Sequence, residues 1–206
     1  MAATALRHIA SLDGIRAAAA MLVFASHAFA SAPIPGSLGV TVFFFLSGFL
    51  ITTLLRRERE ASGSVSLRRF YLRRACRIFP PMYFVLISML LFTMVMHAMD
   101  EVGTMAVIAQ FLHMTNYYIL ATGSDAGLLA HTTVMWSLAV EEHFYVVFPM
   151  LFLFLAARMS LRGVASTLGG LCLMVLAWRV VLVMHQFPPE YFFYATDTRF
   201  DSLLFG

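Results

Sequence analysis

Apolar residues in this chain run in blocks of about twenty, separated by short polar or proline-containing stretches. A block of that length suits a helix crossing a bilayer core about 30 Å thick. The first block covers Ile15 to Ala32 and stops near Pro33 and Pro35. The second covers Leu38 to Leu55 and includes GVTVFFFLSGFLITTLL. Ile78 to Met99, Trp136 to Ala157 and Val164 to His185 follow as the third, fourth and fifth. Residues 104–121 are also apolar but carry Gln110, His113 and Asn116, so a short span, a re-entrant segment and an interfacial helix all fit them. The closing run, DTRFDSLLFG, reads as the entry to another span. The expected fold is all-α: one polytopic transmembrane helix bundle over residues 1–206, with five or six spans.

Composition supports a lipid setting. The chain is 61% hydrophobic and 12% charged, against about 25% charged residues in a soluble domain. Every basic side chain other than histidine is arginine, and so permanently charged. Eight arginines (56, 57, 59, 68, 69, 73, 74 and 77) crowd between the second and third spans. They account for most of the basic balance, so nucleic acid is a poor explanation for the net charge of +3. By the positive-inside rule this stretch is cytoplasmic, which puts the N-terminus inside. Arg158 and Arg162 also fall inside if residues 104–121 do not cross. His27 then lies in the outer half and Arg16 near the cytoplasmic face, with Glu141, Glu142, Arg199 and Asp201 towards the outer side. Residues 17–30 resemble a signal-peptide core ending at Ala28-Phe29-Ala30, but Asp13 before it and Ser26-His27 within it argue against cleavage. Cys76 and Cys172 read as small buried residues rather than a disulfide, and the scattered histidines have no metal-ligand spacing.

Ionisable residues inside apolar blocks carry the candidate chemistry. Arg16 and His27 are eleven residues apart. On a helix that is close to three turns, so they share a face about 16 Å apart. A cation at one end and an imidazole at the other suit an anion holder and a general base; helix packing through the imidazole is the plainer alternative. Arg74 and Arg77 share a face ahead of a Pro-Pro break in FYLRRACRIFPPMYF. On spacing alone they read as membrane anchors, with bidentate phosphate binding the alternative. In WSLAVEEHFYVVFP, Glu141 and Glu142 sit beyond the first turn of an apolar helix, where at least one needs a basic partner. His27, His131 and Arg199 are the nearby types. Ser47-Gly48 suits close helix approach. Arg179 suits snorkelling or pairing with a glutamate, and Asp197, Arg199 and Asp201 read as a solvated loop.

Taken in order, SLDGIRAAAAMLVFASH, GVTVFFFLSGFLIT, FYLRRACRIFPPMY, WSLAVEEHFYVVFP and TRFDSLLFG resemble successive motifs of the membrane-bound acyltransferase 3 family. The resemblance implies a multi-pass enzyme of the bacterial inner membrane. It would move an acyl group, commonly acetyl, from acyl-CoA on the cytoplasmic side to a hydroxyl of a cell-surface carbohydrate or lipid-linked glycan. It implies no permanently bound cofactor and no metal. It assigns His27, Glu141 and Glu142 to catalysis, Arg16, Arg74 and Arg77 to the donor, and Arg199, Asp201 and Trp136 to the acceptor. Family members have about ten spans, so the chain reads as a fragment or a truncated product. A proton-coupled transporter or flippase and an inactive remnant stand as the other readings.

Overall fold

The computed structural model describes residues 10–29, 31 and 33–206, and among them every regular element is helical. The long helices are α1 (Ala10–Ala28), α2 (Gly36–Ser62), α3 (Leu67–Val95), α6 (Met135–Arg158) and α7 (Leu161–Met184). The short ones are α4 (Thr104–Phe111), α5 (Thr115–Thr122), α8 (Pro189–Tyr194) and α9 (Thr196–Leu204). Among the described residues, α2, α3, α6 and α7 are long and apolar enough to cross a membrane, so the chain is a multi-pass membrane protein. They carry the second to fifth predicted spans. α1 follows the first, with Asp13 and Arg16 in its early turns and His27 in its last. Residues 1–9, Ala30 of the cleavage-site reading and Ala32 at the expected end of that span lie outside the described residues.

The arginine-rich stretch is not a loop. Arg56, Arg57 and Arg59 belong to α2, while Arg68 to Arg77 belong to α3, and only residues 63–66 connect the two helices. Glu58 secures this corner, accepting from the Ser66 N–H at 3.1 Å and pairing with Arg73 at 2.9 Å. Nor does the Pro80-Pro81 step break the chain direction, since α3 is continuous from Leu67 to Val95. Helices in lipid tolerate proline where neighbours and local adjustment satisfy the freed carbonyls. Cys76 is exposed on α3 rather than buried, whereas Cys172 is half-buried, and both are free thiols.

Residues 104–121 form no helix long enough to cross a membrane. They form α4 and α5, eight residues each, or about 12 Å apiece against a core of about 30 Å. His113, at φ 58°, lies at the turn between them. The Gly103 N–H donates to the Gly127 carbonyl at 2.9 Å, so the segment leaves and returns at one level. Gly127 has φ 82°, and a Cβ there would stand 3.1 Å from the Tyr118 hydroxyl and 3.2 Å from the Gly103 nitrogen. Glycine is therefore the residue that permits this closure. The polar residues of the segment fasten it to its neighbours. Buried Gln110 accepts from the Leu129 N–H and donates to Thr132. Asn116 donates to the Tyr194 carbonyl at 3.1 Å and to Thr196 at 3.0 Å.

α6 is the axis of the bundle. Phe144, Phe148 and Phe152 stack along it, with Phe144 and Phe148 centroids 4.6 Å apart, and Phe44, Ile51 and Leu55 of α2 join them in the core. In lipid such packing is rewarded by dispersion and close fit rather than by release of water. Pro149 removes one N–H from the α6 ladder. Near that turn Tyr71 of α3 donates to the Val146 carbonyl at 2.8 Å, tying α3 to α6. α9 closes on α2 at Gly48, where any Cβ would overlap the Leu203 carbonyl oxygen. α1 runs antiparallel along α2, with Ser26 beside Gly36 and the Ala19 carbonyl beside Gly39.

Candidate active site

Glu141 lies two turns into α6, on the face that meets α2. Its Oε2 accepts from the Ser47 hydroxyl at 3.2 Å and from the Tyr145 hydroxyl one turn further on. The two hydroxyls are themselves 3.0 Å apart, so both converge on one carboxylate oxygen. The guanidinium of Arg74 from α3 sits 4.4 Å from the centre of the Tyr145 ring. A cation at that distance is attracted by the face of the ring. The positive charges of Arg74 and Arg16 also bear on Glu141. A carboxylate within a bundle needs such compensation, and these arginines supply it in place of His27, His131 or Arg199. We refer to Glu141, Ser47, Tyr145 and Arg74 as the knot.

The antiparallel register of α1 and α2 explains the part played by Arg16. Ser26 faces Gly36 and Ala19 faces Gly39, so Arg16 lies further along the same seam, where its charge bears on Glu141. It is half-buried and pairs with Asp13 at 3.5 Å. It therefore stands beside the knot rather than beside Arg56 and Arg59. Glu142, next to Glu141, presents a buried Oε1 with no hydrogen-bond partner among the described residues, and Arg74 is the cation that bears on it.

His27 sits about three turns beyond Arg16 on α1 and is exposed. Its Nδ1 lies 2.8 Å from the Val23 carbonyl. A carbonyl only accepts, so Nδ1 is the donor, and in the neutral imidazole the lone pair is then on Nε2. The backbone one turn back sets this tautomer. Glu141 bonds to Ser47 and Tyr145 rather than to the imidazole. Arg77 shares α3 with Arg74 but is exposed and stands apart from the knot.

The acceptor candidates form a second group. Trp136, at the start of α6, is buried against Phe193 at 4.7 Å and Tyr194 at 5.2 Å, and meets Phe44 edge-on at 6.3 Å. The guanidinium of Arg199 lies 5.7 Å from the Phe44 ring, 5.5 Å from Phe193 and 6.0 Å from Trp136. Its Nε and Nη2 are buried with no hydrogen-bond partner among the described residues. Asp201 does not serve Arg199. It pairs with Arg179 of α7, which also donates to the Thr198 carbonyl. Residues 197–201 are thus helical and packed rather than a solvated loop, and Asp197 accepts from the Trp178 indole at 2.7 Å.

Three participants went unassigned in the sequence: Ser47 and Tyr145 as donors to Glu141, and Arg179 as the partner of Asp201. Tyr145 could have been found from its spacing, because four residues separate it from Glu141 on one helix face. Ser47 offered only an isolated hydroxyl within an apolar block.

A polytopic helix bundle with a buried carboxylate–arginine cluster, a free imidazole on a neighbouring helix and an aromatic-walled arginine is a membrane protein built around an ionisable site. The profile of the acyltransferase 3 family, an acyltransferase domain, matches residues 9–205, and the chain belongs to that family. It is similar to the peptidoglycan O-acetyltransferase OatA of Listeria monocytogenes, with 31% identity over 206 residues that cover 97% of this chain and 33% of the relative. The O-acetyltransferase OatA of Staphylococcus aureus is 31% identical over 205 residues, covering 97% of this chain and 34% of its own. The chain thus spans about a third of the length of these curated relatives. No solved structure matches it.

Proposed function

We propose that the chain is the acyl-transferring membrane unit of an O-acetyltransferase, taking acetyl from acetyl-CoA on the cytoplasmic side to a hydroxyl of a cell-surface glycan. A peptidoglycan-type acceptor is favoured by what the Listeria relative is named for. The observation that carries the reading is the exposed ring of His27, three turns along one helix from Arg16, whose charge, like that of Arg74, bears on Glu141. Arg16 and Arg74 hold the anionic part of the donor at the level of the knot. The donor's extended arm lies along α1, bringing the thioester to His27. His27 Nε2 removes the proton from the acceptor hydroxyl as that oxygen attacks the thioester carbonyl. The carbon–sulfur bond breaks, the ester forms and the thiolate leaves, taking a proton to become the free thiol. The Val23 carbonyl stabilises the imidazolium through Nδ1–H. Arg199 and Trp136 contact the acceptor, as an aromatic wall with two free guanidinium donors allows. Glu141 fixes Arg74 and Tyr145 and so acts by positioning, while Glu142 is the second carboxylate within reach of Arg74.

The arginine-rich ends of α2 and α3 face the cytoplasm in this reading, and the membrane is the bacterial inner membrane. The test is acetyl transfer from radiolabelled acetyl-CoA to a glycan, by the full chain in proteoliposomes. His27→Ala is expected to lower transfer by about a hundredfold or more. Full transfer by that variant would sink the assignment. A chain that moves the glycan or protons across the membrane without acetylating anything would point to a transporter instead.

A further inference from the structure

A cavity lies away from the knot, at the far end of α3 from its arginines. It measures about 440 Å³ and is lined by Phe92, Met96, Glu101, Asp125, His131 and Thr133, together with the chain between them at 126–130. That volume is in the ordinary range for a small-molecule site. Its walls are divided in character. Phe92 and Met96 make one apolar face. Glu101, Asp125, His131 and Thr133 bring polar groups to it, and the Asp125 carboxylate is held in place by the Thr133 hydroxyl at 3.0 Å.

The wall is braced from behind. Buried Gln110 bonds to Leu129 and Thr132, and the Gly103–Gly127 bond closes the base of the segment between them. The cavity therefore does not depend on a loose loop. Its end of the bundle is also the His27 end, because the α1–α2 register sets Ser26 beside Gly36, at the start of α2. The start of α6 joins this end through the contact of Trp136 with Phe44. The lining stretch runs directly into α6, with Thr133 three residues before Trp136.

We propose that this cavity is a docking subsite for the acceptor glycan, holding one sugar of a chain while another reaches Trp136 and the base. The proposal rests on the acetyl-transfer reading and names where its acceptor is held. Carboxylates accept only, so adjacent sugar hydroxyls can donate to Glu101 and Asp125, while the C–H face of the ring lies on Phe92 and Met96. The same carboxylates repel phosphate, and no arginine lines the cavity, so the acyl-CoA donor does not fit it.

The probe is a β-1,4-linked N-acetylglucosamine tetrasaccharide, and its binding to the full chain in lipid nanodiscs is followed by saturation-transfer NMR and calorimetry. The unaltered chain is expected to bind it, and Ala130→Trp, which fills the cavity, to abolish binding. Glu101→Gln and Asp125→Asn should each weaken binding roughly tenfold. Glu101→Gln preserves shape and carries the test if the tryptophan variant misfolds. Absence of binding, or binding indifferent to all three cavity variants, overturns the proposal. Acetyl transfer is measured separately on the unaltered chain. Transfer without cavity-dependent binding removes the subsite and leaves the enzyme reading standing. Cavity-dependent binding without transfer does the reverse.

Discussion

His27 and Glu141 belong to neighbouring parts of one bundle yet are held in opposite ways. Glu141 is bound from two helices, by Ser47 of α2 and by Tyr145 of its own α6, with Arg74 of α3 closing over the tyrosine. His27 is exposed on α1, and the bond from its Nδ1 goes to the carbonyl of its own helix one turn back. Removing a residue from the first setting strips partners from groups that lipid will not satisfy. Removing the second leaves the architecture intact. A base at a free edge can meet a substrate, whereas a carboxylate sealed by hydroxyls and arginines sets geometry for others. The knot should therefore answer to stability measurements and His27 to activity alone.

The largest effect on stability should come from Glu141→Ala. It leaves Arg74 near the bundle interior without its carboxylate and two hydroxyls without an acceptor. Leaving these groups unsatisfied inside the bundle costs about 2–3 kcal/mol. Thermal unfolding in a mild detergent should register the loss, while His27→Ala stays within about 0.5 kcal/mol of the unaltered chain. Equal destabilisation by the two variants would break the comparison. Gly48→Ala comes next. Its added Cβ meets backbone rather than a side chain, so α9 must move away from α2 at a cost of about 1–3 kcal/mol. Because Gly48 adjoins Ser47, the same variant should also lower transfer, which would show whether the knot's geometry reaches the chemistry. Tyr145→Phe is milder, at about 1 kcal/mol, because Ser47 still donates to Glu141 and the ring remains beneath Arg74.

Much of this frame was visible in the amino-acid order, because bilayer thickness imposes a length that a run of apolar residues must meet. α2, α3, α6 and α7 follow from that constraint alone. What depends on pairing between distant residues was not visible. Glu141 needed a basic partner, but nothing in the spacing selects Arg74 over His27, His131 or Arg199. That choice comes from the register between α3 and α6. Asp197, Arg199 and Asp201 read as a solvated loop, yet they lie on α9, where Asp201 meets Arg179 of α7 across the bundle. The polar residues at 110, 113 and 116 marked their segment as unusual without saying that Gly103 and Gly127 would meet. Nor was the reach of Arg16 to Glu141 visible, because it depends on how α1 packs along α2.

The finest division runs between Arg74 and Arg77, which the spacing treats as one pair. Arg74 points into the bundle over Tyr145, and its charge bears on both glutamates. Arg77 is exposed on the same helix. Arg74→Ala should therefore destabilise the fold by about 1–2 kcal/mol, since the cation over the ring and the charge beside Glu141 disappear together. Arg77→Ala should leave unfolding unchanged within about 0.5 kcal/mol, as an exposed anchor would. Its catalytic consequence is the sharper question. If Arg77 only anchors the protein in the membrane, the KM for acetyl-CoA stays constant in the variant. If it also grips a donor phosphate through its two-pronged guanidinium, KM rises roughly tenfold while kcat holds. That second result would draw the donor's path outward from the knot along the exposed face of α3, and would make Arg77→Lys, which keeps charge but loses the fork, an incomplete rescue.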